Sequence, residues 1–301
     1  MDQKIITQVL ILFLIVTVGY ISRKRGILNP ALNKGLTEFL LNVAVPFLVV
    51  SSFQLSFSRK MLADVGIVLI FSISAHLLAI LLGKFLFHRM RGDTARILRF
   101  SSIFNNCGFM GYPIIGSMFG QHGVFYTSIY NITTTVFLWT YGAFIFTDKV
   151  DCHFLTKAFI NPGMVATLLG MLFFLFSVKL PLPLAQTSQI IGSMATPISM
   201  IIIGSTLSDV KPLELFFSWR LYYGALVRLL LIPVLVLLCL KWFNLQKTLL
   251  EVCVLIVAMP APTMSVLFAE QNKGDVLFAS RLVFFSTILS IFTIPLVSWM
   301  F

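Results

Sequence analysis

Residues 104–113 read Phe104-Asn105-Asn106-Cys107-Gly108-Phe109-Met110-Gly111-Tyr112-Pro113 and interrupt a long apolar run in the first half of the 301-residue chain. Pro113 has no N–H and its ring clashes with the preceding turn, while Gly108 and Gly111 allow the backbone to unwind. In lipid, unwound backbone is tolerated only where protein or an internal water cavity satisfies its polar groups. We therefore predict a membrane helix that is broken inside the protein.

A second segment of the same kind occurs in the second half of the chain and reads Ala258-Met259-Pro260-Ala261-Pro262-Thr263-Met264-Ser265. Two broken helices at matching positions of two halves are typical of the binding site of a secondary transporter. The alternative is a pair of ordinary proline kinks, because glycine and proline are common in membrane helices. The polar residues at both segments favour the binding site.

The composition predicts a protein that crosses a membrane many times. Hydrophobic residues make up 58% of the chain and charged residues 11%, whereas soluble domains have about 25% charged residues. Apolar runs of about 20 residues recur, and each is long enough to cross a bilayer of roughly 30 Å. The first run is followed by Arg23-Lys24-Arg25, on the opposite side from the charges of a signal peptide, so we expect a retained helix.

The charges and cysteines indicate no other class of protein. The net charge of +11 comes from basic residues in short loops, so we expect membrane topology and no nucleic-acid partner. The four cysteines have no disulfide or metal-ligand spacing, and we expect small apolar side chains, no metal and no cofactor. The usual hydrolase and zinc-protease motifs do not occur, so we expect no enzyme.

Ten membrane spans are predicted, at about 4–22, 33–53, 63–87, 96–119, 122–147, 159–178, 185–208, 217–240, 247–269 and 276–300. Loops after odd-numbered spans hold 15 basic residues and the opposite side holds 6. This bias places the loops after odd-numbered spans in the cytoplasm, and both termini on the opposite, non-cytoplasmic side of the cell membrane.

The two halves, residues 1–150 and 151–301, align at a shift of roughly 151 residues, so that Pro46 matches Pro197 and the two broken segments match each other. Five spans is an odd number, so the second half inserts upside down. We predict an all-α fold of two inverted five-helix repeats, with a shared site near the bilayer midplane.

The chain resembles the auxin efflux carrier family, which includes the plant PIN proteins. The resemblance covers the whole chain and is most specific at residues 106–113 and 258–265, with support from Asn161-Pro162-Gly163, residues 228–233 and the run 286–290 before Pro295. It implies the fold of PIN proteins and bile-acid symporters, with broken helices 4 and 9 crossing, and an elevator-type carrier of organic anions such as dicarboxylates. Spans 1, 2, 6 and 7 would form a scaffold and homodimer interface, and spans 3–5 and 8–10 a transport domain.

The broken helices predict an anion site. Half-helices that begin near Pro113 and Pro262 present free N–H groups and the positive end of a helix dipole, which attract a carboxylate. Amides and hydroxyls from both segments add hydrogen bonds, and we expect Asn106, followed by Asn105, to bind the substrate directly. The predicted site residues are Asn105, Asn106, Gly108, Gly111, Pro113, Pro260, Pro262, Thr263 and Ser265.

Four further residues are candidates for substrate binding or ion coupling: Arg228, His76, Glu38 and Glu251. An arginine in mid-helix costs about 2.5–3.5 kcal/mol on insertion scales, so Arg228 is a functional candidate that could bind the substrate or pair with Glu251 or Glu38. A structural ion pair or snorkelling is the alternative. The ordinary pKa of a histidine lies near neutrality, so His76 could couple protons, or could simply be a buried, hydrogen-bonded histidine.

The sequence predicts a carrier that exports or exchanges small organic anions. The membrane potential expels an anion with about 2.3 kcal/mol per charge per 100 mV, so export needs no coupled ion. Because no acidic residue lies near either broken segment, tight sodium coupling is disfavoured, while proton coupling or uniport stays open. A sodium- or proton-coupled importer and a ligand sensor that does not transport are the alternatives.

Overall fold

The computed structural model describes residues 2–147, 156, 158–208, 218–243 and 245–301, with side chains from residue 7 onward. All regular structure in these ranges is helical, which confirms the all-α class. The helices are α1 (Asp2–Lys24), α2 (Pro30–Ser52), α3 (Arg59–Leu86), α4 (Gly92–Ile103), α5 (Tyr112–Phe137), α6 (Pro162–Leu175), α7 (Leu182–Leu207), α8 (Trp219–Lys241), α9 (Lys247–Val257), α10 (Met264–Gln271) and α11 (Val276–Trp299).

Six of the described helices are long and apolar enough to cross a membrane: α1, α2, α3, α7, α8 and α11. They coincide with predicted spans 1, 2, 3, 7, 8 and 10. These helices agree with a multi-pass membrane protein, and the full set of ten spans in two inverted repeats stays a prediction. Predicted spans 4 and 9 each contain non-helical residues, which divide them into shorter pieces.

Gly120 separates the predicted fourth and fifth spans. Its backbone has φ 60° and ψ −147°, a combination that only glycine adopts readily, and it divides α5 into two helices joined by a sharp bend. The sequence prediction placed the gap between spans at 120–121, so the position of the turn is confirmed.

Three prolines follow wide, π-helical turns. Pro46, Pro113 and Pro233 each lie two residues after such a turn, at Leu40–Ala44, Cys107–Gly111 and Val227–Leu231. A proline ring clashes with the carbonyl group four residues earlier, and an extra residue in the preceding turn shifts that carbonyl aside. Pro295 lies inside α11 without such a turn, so proline alone does not produce one.

The chain forms two compact units, which we describe separately. Unit 1 comprises the described residues of 1–68, 108–132 and 159–210. In it α1 packs along α7 through glycines: a Cβ on Gly19 would overlap the backbone of Ile201, and one on Gly204 the carbonyl of Val16. Small residues at helix interfaces let backbones approach closely, which is how membrane helices commonly associate.

Unit 2 comprises the described residues of 69–107, 133–158 and 211–301. It contains the end of α3 together with α4, α8, α9, α10 and α11. An aromatic cluster lies inside it, where the ring of Phe100 is 4.8 Å from Phe104, 5.4 Å from Phe146 and 5.3 Å from Phe268, between centroids. This cluster packs α4 and α10 beside the two places where the predicted spans are broken.

Candidate functional site

Each of the two segments predicted from the sequence contains a break in the helix, and both breaks lie in unit 2. The backbone leaves the helix at Phe104–Asn106, immediately after α4, and again between the end of α9 at Val257 and the start of α10 at Met264. These residues are buried, apart from a half-buried Thr263. Their freed N–H and C=O groups must therefore find partners within the protein.

Two asparagines of the first segment bond to carbonyl groups at the end of α9 and in the second segment. Asn105 donates from Nδ2 to the carbonyl oxygen of Ile256 at 2.8 Å, and the backbone N–H of Asn106 donates to the carbonyl oxygen of Pro260 at 3.0 Å. Both asparagines are buried. The structure thus joins the two segments directly, and their predicted contacts with a substrate stay a prediction.

Arg228 caps the carbonyl ends of two helices. Its side chain, 2% exposed, donates from Nη2 to Val257 at 2.7 Å and from Nε to Met259 at 3.0 Å. A third bond runs from Nη1 to the carbonyl oxygen of Ser102 at 3.1 Å. A positive charge at the negative ends of two helix dipoles is stabilising, and three buried carbonyls gain donors. These contacts are bonds to backbone carbonyls and differ from the ion pair and the snorkelling considered above, and a role in substrate binding stays a prediction.

Two serines form hydrogen bonds with the backbone of the second segment. The N–H of Ala261 donates to Oγ of Ser286, on α11, at 3.1 Å, and Ser265 donates from Oγ to the carbonyl oxygen of Pro262 at 2.8 Å. Ser286 is completely buried. The sequence analysis named Ser286 only within a family motif, and nothing in its local sequence indicated this long-range bond.

One polar atom of the first segment has no partner. Oδ1 of Asn105 is buried and accepts no hydrogen bond from the described residues. Because Nδ2 of the same amide faces the carbonyl of Ile256, the remaining atom is fixed as the oxygen, which is an acceptor. The segment thus offers one acceptor to a group that can donate a hydrogen bond.

Three predicted site residues belong to unit 1. Gly108 and Gly111 lie in the wide turn Cys107–Gly111, and Pro113 follows it at the start of α5. A Cβ added to Gly108 would meet no described atom within 4 Å, and its φ is not in the left-handed range. Gly108 therefore leaves open space beside the backbone. We predicted that it lets the backbone unwind, but its φ is one that other residues also adopt.

The three other coupling candidates have different surroundings. His76 is buried with Nδ1 2.6 Å from the carbonyl oxygen of Ser72, and its ring stacks on Phe137 with centroids 5.2 Å apart. Glu251 is buried on α9 and forms a 3.8 Å ion pair with Lys247. Glu38 is exposed on α2, in unit 1. These surroundings fit the hydrogen-bonded histidine, and coupling through any of the three stays a prediction.

The buried carboxylate of Asp64 was not predicted as a site residue. Asp64, near the start of α3 in unit 1, accepts a hydrogen bond from the hydroxyl of Tyr126 at 2.8 Å. A carboxylate one turn inside an apolar run was the available signal, because acidic residues in membrane segments are rare.

The comparisons with known proteins agree on transport. The sequence profile of the family described as "Membrane transport protein" matches residues 4–152 and 149–298. An uncharacterized transporter of Methanothermobacter thermautotrophicus is 28% identical over 303 aligned residues, which cover 96% of this chain and 95% of that protein. The uncharacterized transporter MJ1031 of Methanocaldococcus jannaschii is 25% identical, with 97% of both chains covered.

Proposed function

Because the chain belongs to the membrane transport protein family, which includes the auxin efflux carriers, we propose that it carries small organic anions out of the cell. That it is a membrane transporter follows from the family. The substrate class, the direction and the mechanism are our proposal. The observation that supports it best is the pair of broken helices in unit 2, joined by Asn105, Asn106 and Arg228.

The electrostatics of this site favour an anion. Arg228 donates to three carbonyl oxygens at or just beyond the ends of α4 and α9, where its charge offsets the negative ends of two helix dipoles. The N-terminus of α10 presents the positive end of a helix dipole. A small carboxylate gains from this positive end, whereas a cation is repelled by it.

Oδ1 of Asn105, which accepts no hydrogen bond from the described residues, indicates which anions the site would bind. An amide oxygen does not bind a carboxylate oxygen, but it does accept from a hydroxyl or from a protonated carboxyl group. We therefore favour anions that carry one charged carboxylate and one donor, such as hydroxy acids or dicarboxylates with a single proton. Simple monocarboxylates lack the donor and should bind more weakly.

We also propose the inverted repeat and the elevator mechanism. Asn105 and Ile256, which share a hydrogen bond, are 151 residues apart, the shift at which the two halves align. In unit 1, α1 packs on α7 and α2 packs on α6, which is the pairing that such a repeat requires. A scaffold of spans 1, 2, 6 and 7, a homodimer through it, and outward-facing termini in the cell membrane belong to the same proposal.

A thermal-shift screen tests the substrate class. The purified protein in detergent is heated with matched series of carboxylates: monocarboxylates, hydroxy acids and dicarboxylates, each with and without sodium. A ligand at 100 times its dissociation constant stabilises the folded state by about 2.7 kcal/mol, which raises the melting temperature by a few degrees. We expect hydroxy acids and dicarboxylates to give the largest shifts, independent of sodium.

Other outcomes of the screen identify the alternatives. A shift that requires sodium would support the coupled importer, and stabilisation only by cations would contradict the proposal. A ligand that stabilises the protein but is not moved across a proteoliposome membrane would support the sensor.

A further inference from the structure

A basic cavity of about 390 Å³ lies in unit 2, apart from the broken segments. It is formed where α3 ends and α4 begins, and by residues just beyond the end of α5. Four cationic side chains line it: Lys84, Arg91, Arg96 and Arg99. Such a concentration of positive charge in a concave surface favours a ligand with several negatively charged oxygens.

Backbone and side-chain donors are available in this cavity. α4 begins at Gly92, and Arg91 before it provides no side-chain cap for the first N–H groups. Arg99 donates from Nη2 to the carbonyl oxygen of Phe87 at 3.3 Å, while its Nε is buried with no hydrogen-bond partner among the described residues. Arg96 lies 3.7 Å from Asp93, so one acidic group offsets part of the charge. An N-terminal helix turn beside arginines suits a phosphate group.

Apolar side chains complete the cavity on another side. Met90, Phe144 and Ile145 line it together with the basic residues, and Phe144 is 39% exposed. Phe85, next to Lys84 in sequence, is 73% exposed. In a membrane protein, exposed apolar side chains that face the bilayer contact lipid chains. The cavity therefore presents charge and an apolar surface together, which fits an amphiphile better than a freely soluble anion.

We propose that this cavity binds the phosphate headgroup of an anionic phospholipid. The predicted topology is consistent with this ligand. The connection between α3 and α4 is predicted to lie on the cytoplasmic side, where anionic lipids attract basic residues. The headgroup phosphate bonds to Lys84, Arg91, Arg99 and the first turn of α4, and an acyl chain lies along Phe144 and Ile145. This site is independent of the proposed transport function.

The test compares lipids on the full-length protein with two matched double variants. Lys84→Gln/Arg91→Gln removes two exposed cations of the cavity, and Arg59→Gln/Lys60→Gln removes two exposed cations at the opposite end of α3. Melting temperature is measured in detergent with phosphatidylglycerol, with phosphatidylcholine, and with inorganic phosphate. Lys84→Gln alone serves if the double variant folds poorly without lipid.

We expect phosphatidylglycerol to stabilise the wild type and the Arg59/Lys60 variant alike. Each basic residue near anionic lipid contributes about 1 kcal/mol, so the Lys84/Arg91 variant should need roughly 30-fold more phosphatidylglycerol for the same shift. Phosphatidylcholine should give no comparable shift in any of the three proteins.

Three results would overturn the lipid site. An equal response of both double variants would show that the cavity is not used. Equal stabilisation by phosphatidylcholine would show that charge does not matter. If inorganic phosphate reproduces the full effect with the same dependence on Lys84 and Arg91, the ligand is a soluble anion and the lipid assignment is wrong.

Discussion

At the scale of single residues, Arg228 shows how a buried charge is accommodated in this protein. Its three backbone acceptors lie 29, 31 and 126 residues away in sequence. The sequence could identify Arg228 as unusual, because an arginine in an apolar run is costly. It could not identify those acceptors, since carbonyl groups leave no trace in residue identity and become available only where helices end.

Replacing Arg228 with lysine should lower stability. An ammonium group cannot reach three carbonyls that a planar guanidinium spans, so at least one buried carbonyl loses its donor, at a cost of about 1–3 kcal/mol. Melting curves with and without the best ligand from the thermal-shift screen measure both effects. If the free energy of ligand binding and the free energy of unfolding fall by similar amounts, Arg228 has a structural role. A large loss of affinity at unchanged stability would contradict it and assign Arg228 to the substrate.

Ser286 can be compared with a second buried serine in the same helix, α11. Ser286→Ala leaves the buried N–H of Ala261 without its acceptor, and we expect a loss of about 1–3 kcal/mol. Ser290→Ala is the control, because its equally buried hydroxyl only donates to the carbonyl of Thr287 in the same helix. Thermal unfolding of both variants checks this. Equal stability of the two would mean that the second segment does not depend on Ser286.

At the scale of helices, the broken segments were predictable and their internal geometry was not. Glycine and proline in an apolar run indicated both regions, and the second break contains Pro260 and Pro262. The first break lies at Phe104–Asn106, before Gly108, Gly111 and Pro113, so its exact position did not follow from those residues. α9 and α10 have 11 and 8 residues, so they extend roughly 17 and 12 Å and neither alone crosses a bilayer of roughly 30 Å. The wide turns before Pro46, Pro113 and Pro233 were not predicted, because neighbouring packing decides between a kink and an extra residue.

The packing of α1 on α7 gives a prediction at this scale. A methyl group at Gly204 would overlap the backbone of Val16, so Gly204→Ala must separate the two helices, with a loss of about 1–3 kcal/mol or more. Gly35→Ala is the matched control, since a Cβ at Gly35 meets no described atom within 4 Å. Melting temperature and folded yield measure the difference. A Gly204→Ala protein as stable as the control would contradict this packing.

At the scale of the whole molecule, the resemblance to the auxin efflux carriers is confirmed by the family match over nearly the whole chain. Hydropathy predicts that the chain is helical and crosses a membrane, and the six long apolar helices agree. The partition into scaffold and transport domain, the homodimer and the direction of transport stay predictions. They depend on how parts of the fold move and associate, which hydrophobic patterning does not encode.

We propose that the substrate binds at the broken segments while it is carried across the membrane. Uptake of the best dicarboxylate or hydroxy acid into proteoliposomes is compared for the wild type, Asn106→Ala and Asn272→Ala. The control removes an asparagine that follows the C-terminal end of α10 and whose amide bonds, among the described residues, only to the carbonyl oxygen of Phe268. We predict that Asn106→Ala folds but transports no more than empty liposomes, while Asn272→Ala keeps the wild-type rate. Wild-type flux in Asn106→Ala would show that the substrate does not bind at Asn106.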